Sequence, residues 1–202
     1  MTGTGYAQSS PRSQAAAFWR WFTAHDGALF AVKTGSEPVC DTLMTQMQTV
    51  DSNLTFEFGP VQGGRREFVI SAGGIRAAFP AVEELAAAAP ALERWRITRF
   101  RPRREPMRLK VGSLTVDPSD VEVLAEADGA KIALIVSIRG YHETPTKQYQ
   151  QAAFLLLDQA LGEYVMETRI GGINILAPEG RPSGAWTRLK DLPDVIDGWR
   201  DK

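Results

Sequence analysis

The chain has 202 residues, 44% hydrophobic and 23% charged, with 23 Lys and Arg against 24 Asp and Glu. That composition excludes a disordered or fibrous chain, and a net charge of −1 gives no global pull toward nucleic acid or membrane. One cysteine, Cys40, and two histidines, His25 and His142, exclude a disulfide framework and a multi-cysteine zinc site. No cofactor or metal is implied.

Residues 1–13 lack the basic start and apolar core of a signal peptide and read as a mobile tail. No apolar run approaches the roughly 20 residues of a membrane span, so a cytoplasmic location is expected. Residues 14–202 then read as one α+β domain. Gln14–Val32 and Glu37–Val50 carry helical spacing and form an N-terminal helical layer. In the first of these, Phe18, Trp21 and Phe22 share a face. Trp19 points elsewhere, to pack under the C-terminal segment or to serve a binding surface.

The period then drops to two. Leu54–Phe58 and Arg66–Ala72 read as a hairpin, followed by a helix over Ile75–Ala89 that tolerates Pro80 only if it starts near Phe79. Trp95–Phe100 is a third strand. The connection 102–118 offers Leu109, Val111, Leu114 and Val116 for a further strand or edge. A second series repeats the order over 119–176: a hairpin turning at Asp128-Gly129, a helix to Leu161, and strands at Tyr164–Ile170 and Ile173–Leu176. Two ββαβ-like halves, 14–101 and 119–176, therefore predict a largely antiparallel sheet, continuous across both, with helices on one face. Residues 177–202 form a loop and a docking piece at Leu189–Trp199.

Several blocks stand together: FWRWF at Phe18–Phe22, LTFEFG at Leu54–Gly59, REFVISA at Arg66–Ala72, AFPAV at Ala78–Val82, WRITRFRPRR at Trp95–Arg104 and ALGEY at Ala160–Tyr164. In that order they resemble a family of uncharacterised bacterial cytoplasmic proteins. The resemblance implies a single folded unit and carries no activity with it.

The strongest chemical signal is Arg94–Lys110. Eight basic side chains stand there against one acid, Glu105, leaving the remaining chain at −8. Seven of the eight are arginines, whose rigid forks suit bidentate recognition of carboxylate or phosphate. Arg96, Arg99, Arg101, Arg103 and Arg104 are the candidate binding residues. Three uses fit them: a solvated edge strand paired to internal acids, a patch for an acidic protein or a second copy of the chain, and a phosphate or nucleic-acid site. The acidic balance argues against nucleic acid. Ser113–Thr168, with nine acids and three bases, is a natural internal or intersubunit counterpart. Catalytic patterns are thin: Cys40 has no histidine near it in sequence, His25-Asp26 and His142-Glu143 read as surface polar pairs, and Glu57 and Glu67 could approach across the first hairpin. Gly73-Gly74 reads as a tight turn and Gly171-Gly172 as a bulge. The expectation is a non-enzymatic interaction protein; the alternative is a small-ligand or phosphate-ester binder, including a hydrolase, with arginines clamping an anion.

Overall fold

The structure, a computed structural model, describes residues 11–142 and 146–199. Most of the expected tail, together with Glu143 and Pro145, lies outside the described residues. The chain divides into two compact units, Met1–Phe100 and Arg101–Lys202, each with its own core.

In the first unit, α1 (Pro11–Ala24), α2 (Asp26–Phe30) and α3 (Pro38–Gln48) precede β1 (Thr55–Gln62) and β2 (Arg65–Ser71). Then come α4 (Phe79–Ala87) and β3 (Trp95–Arg99). The break between α1 and α2 falls at His25, not at Gly27, and α4 starts at Phe79 with Pro80 in its first turn. β1 and β2 are antiparallel, and the α4 crossover returns β3 parallel to β2. On α1, Ala15, Phe18, Trp19 and Phe22 are the buried set, a strict helical stripe. Trp19 is therefore core, and its indole N–H donates to the Leu85 carbonyl of α4 at 2.7 Å. Trp21 is instead half-buried and stacks on His25.

In the second unit, β4 (Leu109–Val111) and β5 (Leu114–Val116) form a two-stranded sheet. β6 (Val121–Asp128), β7 (Lys131–Ile138), β8 (Ile170–Leu176) and β9 (Thr187–Arg188) form a second sheet in the order β8-β7-β6-β9. α5 (Thr146–Leu161) buries Tyr149, Ala152, Ala153, Leu156 and Leu157 in the same core as Ile132, Leu134 and Val136. Leu192 and Ile196 of α7 (Leu192–Asp197) join that core.

Two expectations need correction. Among the described residues the strands form three separate sheets, not one continuous layer, because the chain leaves the ladder after β3. Phe100 adopts φ 61°, a left-handed conformation rare for an aromatic residue, and this ends the strand. The Arg101 and Arg104 backbone donors then turn to the Glu163 carboxylate and the Gln159 carbonyl. Second, Tyr164–Ile170 is no strand. Tyr164–Arg169 lies in α6 (Glu163–Arg169), where buried Glu163 and Met166 are held by tertiary contacts that override the strand preference of Tyr and Val, and Ile170 opens β8. The α+β class itself holds, with helices in both units; the first unit has one antiparallel and one parallel pairing, and the second is mostly antiparallel. Among the described residues, no helix is long and apolar enough to cross a membrane.

Candidate functional site

The arginine-rich run straddles the boundary between the two units, so its charges are divided. In the first unit, Arg94 pairs with Asp26, Arg96 with Glu67 at 3.1 Å and Arg99 with Glu83 at 2.5 Å. Burial alone would lift the Asp26 carboxyl, but the Trp95 indole N–H and the Arg94 guanidinium hold it below its ordinary range. In the second unit, Arg101 pairs with Asp158 at 2.8 Å, Arg103 with Asp197 at 2.6 Å and Arg108 with Asp117 at 2.7 Å. Each of these six side chains therefore has a carboxylate of its own chain beside it. Spacing along the chain reveals the excess charge but not the acids that folding delivers to it.

Residues 101–104 also have a backbone task. The last carbonyls of α5 lack partners within the helix. Arg104 N donates to Gln159 O at 2.7 Å, and Arg103 Nε donates to Leu161 O at 3.0 Å. Arg101 N reaches the Glu163 carboxylate at 3.0 Å while Arg101 O accepts from Glu163 N at 3.0 Å. Guanidinium groups at a helix C-terminus also oppose its negative dipole end. Here the arginines serve as a cap on α5 and a clasp on α6 and α7. Of the five candidate binding residues, Arg101 and Arg103 are thus structural clasps. Arg96 and Arg99 remain more than half exposed in their pairs, and Arg104 contributes its backbone to the cap.

A cleft of about 480 Å3 opens beside the same segment. Three stretches of the second unit bring Arg108, Arg188 and Lys190 into its wall, against Glu105 and Asp117. Arg108 and Asp117 face each other because β4 and β5 pair Leu109 with Val116, leaving these residues at the open end of the hairpin. Asp117 also accepts from Ser119 N at 3.0 Å and Ser119 Oγ at 2.7 Å, capping the short turn at Pro118–Asp120. The Ser119 hydroxyl and amide, with Arg108, lower the Asp117 carboxyl to about 2. Arg188 bonds Asp191 at 2.7 Å, while Lys190 makes no ion pair among the described residues. Arg108 and Arg188 are 69% and 65% exposed. Met107 stands two thirds exposed next to Arg108.

A smaller recess of about 190 Å3 lies in the first unit, between Arg65, Arg66, Glu67 and Arg96. Sequence reading passed over Arg65 and Arg66. One signal was legible: Arg66 alternates in phase with Phe68 and Ile70, which places a charge on the apolar side of β2. No comparable signal joins Arg188 and Lys190 to a segment eighty residues earlier.

The remaining candidates resolve simply. His25 Nδ1 lies 2.8 Å from the Trp21 carbonyl and its neighbour Asp26 is engaged with Arg94 and Trp95, so the two do not act as a pair. Cys40 is buried, and desolvation, with Glu37 and Asp41, raises its thiol above the ordinary range. Glu57 faces Val69 across the hairpin, whereas Glu67 bonds Thr98 and Arg96. Gly73 and Gly74, both at positive φ, form the turn expected of them, and the β7–β8 register shifts beside Gly171-Gly172. Among the described residues, no group of three or more His, Cys, Asp or Glu side chains could hold a metal ion. In comparisons with protein-family models, curated proteins and solved structures, nothing matches this chain.

Proposed function

We propose that this is a non-enzymatic cytoplasmic interaction protein that binds an acidic segment, of another protein or of a second copy, at the cleft of the second unit. The observation that carries this reading is the convergence of Arg108, Arg188 and Lys190 on one open cleft. Arg101 and Arg103 are committed to carboxylates of their own chain. The cleft arginines are held only by exposed single pairs, and exposed pairs contribute about 0–1 kcal/mol each. An incoming carboxylate exchanges for such a partner at little cost. Met107 adds a polarisable apolar contact of the kind used on adaptable binding surfaces. Such a site favours a peptide that carries acids next to an apolar residue.

The test is fluorescence anisotropy of a labelled Asp/Glu-rich peptide against the full chain and its Arg108→Glu, Arg188→Glu, Lys190→Glu triple variant. Binding that weakens with salt and is lost in the variant supports the reading. Equal binding by both proteins, or none by either, removes it.

A further inference from the structure

β8 leaves the sheet of the second unit with an open border. In the order β8-β7-β6-β9 it pairs with β7 on one side, and among the described residues no strand lies on the other. The β7–β8 pairing is parallel, so every second residue of β8 turns its N–H and C=O away from β7. Outside that ladder, no backbone hydrogen bond among the described residues reaches Gly171–Leu176. Gly171, Gly172, Ile173 and Asn174 are exposed.

A row of free donors and acceptors is a template for another chain, and proteins blunt it with charge, proline, bulges or short strands. The other borders here follow that rule. β3 carries Arg96 and Arg99, and β1 carries Glu57 and Pro60 with a register shift beside them. β4 and β5 have three residues each and β9 has two. β8 has seven residues, IGGINIL, with no charge and no proline. Its apolar side also runs past the core. Ile173 and Ile175 lie opposite the fully buried Leu134 and Val136, so the four share the face turned to the second core. Ile175 packs against that core, whereas Ile173 stays 37% exposed.

We infer that β8 is an interface for a second copy of this chain, pairing antiparallel with its own counterpart across a two-fold axis. The chemistry of the strand selects that occupant. An uncharged strand meets no repulsion from itself, and in an isologous contact one pairing satisfies both free borders. Antiparallel alignment about Ile173 sets this residue against its own counterpart, Gly172 against Asn174 and Ile170 against Leu176. Charge fixes the direction. Arg169 precedes the strand and exposed Glu179 follows it, and neither has an ion-pair partner among the described residues. An antiparallel pair brings the Arg169 end of each strand to the Glu179 end of the other, whereas a parallel pair sets like charges together. Two four-stranded sheets thereby become one, and the exposed Ile173 side chains cover each other.

The experiment is sedimentation velocity of the full chain over about a hundred-fold range of concentration, beside its Gly172→Lys, Asn174→Lys variant. Both positions have room for the change: a Cβ on Gly172 meets nothing within 4 Å, and Asn174 is exposed. In the pairing about Ile173 the lysines of one copy face those of the other, so like charges oppose twice. The parent should pass from monomer to dimer as concentration rises, and the variant should stay monomeric with an unchanged melting temperature. Hydrogen exchange of the parent needs no variant: the Ile173–Leu176 amides should be better protected in the concentrated sample. The Arg108→Glu, Arg188→Glu, Lys190→Glu variant should dimerise like the parent, which separates this interface from a second copy docked at the cleft. A parent monomeric throughout, a dimer that survives both lysines, β8 amides indifferent to concentration, or a dimer abolished by the cleft variant would overturn the assignment.

Discussion

Arg103 sets its two terminal nitrogens on the two carboxylate oxygens of Asp197, at 2.6 and 2.7 Å, while its Nε closes on the Leu161 carbonyl. One side chain thus ties the segment after the unit boundary to the end of α5 and to α7. A lysine keeps the charge but cannot reproduce the three-pronged contact. Arg103→Lys should lower the melting temperature by about 4–8 °C, the shift that roughly 1 kcal/mol produces in a unit of this size. The Arg103 hydrogen bond and charge hold the Asp197 carboxyl below its ordinary range. Its stabilising effect is therefore complete above the unfolded carboxyl pKa and is lost as pH falls toward the folded value. In Arg103→Gln, carboxyl NMR titration should find Asp197 returned upward.

Gly162 and Gly129 both have positive φ, at 76° and 59°, but differ in surroundings. A Cβ on Gly162 would lie 3.0 Å from Arg101 O and 3.1 Å from Arg103 N, whereas a Cβ on Gly129 would meet nothing. Gly129→Ala should cost only the left-handed backbone penalty, about 1–2 kcal/mol. Gly162→Ala should cost clearly more, because backbone atoms of the clasped segment must also move. Urea unfolding of the two variants gives the comparison.

Glu37 and Asp117 are half-buried acids with strongly stabilised charged forms. The Lys33 and Thr34 amides lower Glu37 to about 2, as Ser119 and Arg108 do for Asp117. Both shifts are downward, so both groups support the fold above their unfolded values, 4.5 and 3.8, and cease to do so as pH falls to about 2. NMR titration should place both midpoints near 2, and Ser119→Ala should raise that of Asp117 alone.

Trp19 gives the packing counterpart. Its N–H bond to Leu85 O lies inside the first core, and Trp19→Phe would leave a buried carbonyl without a partner. The cost should be about 1–3 kcal/mol by urea unfolding. Trp21→Phe, which alters a half-buried stack on His25, should cost less.

Local pattern made much of this fold readable. The start of α4 follows from Pro80, and the turn between β6 and β7 from Asp128-Gly129. The buried face of α1 differs from the expected one in a single tryptophan, since Trp19 and not Trp21 completes the stripe of Ala15, Phe18 and Phe22. α6 was hidden because Glu163 and Met166 are decided by partners elsewhere in the chain, not by propensity. The arginine run was conspicuous, yet its meaning lay in Asp158 and Asp197, fifty-seven and ninety-four residues away from their partners. The reverse held for Arg66, a single charge on an apolar face, quiet in sequence and unusual only once its carbonyl partners are seen.

Arg101 and Arg103 clasp α5, α6 and α7 of the second unit together. The most direct test of this clasp is the unfolding free energy of the Arg101→Gln, Arg103→Gln variant of the full chain, by urea denaturation. Asp158 is buried, and removing its partner strands a charge, so a loss of about 3–5 kcal/mol is expected. Unfolding within about 0.5 kcal/mol of the parent, the ordinary range for surface changes, would contradict it.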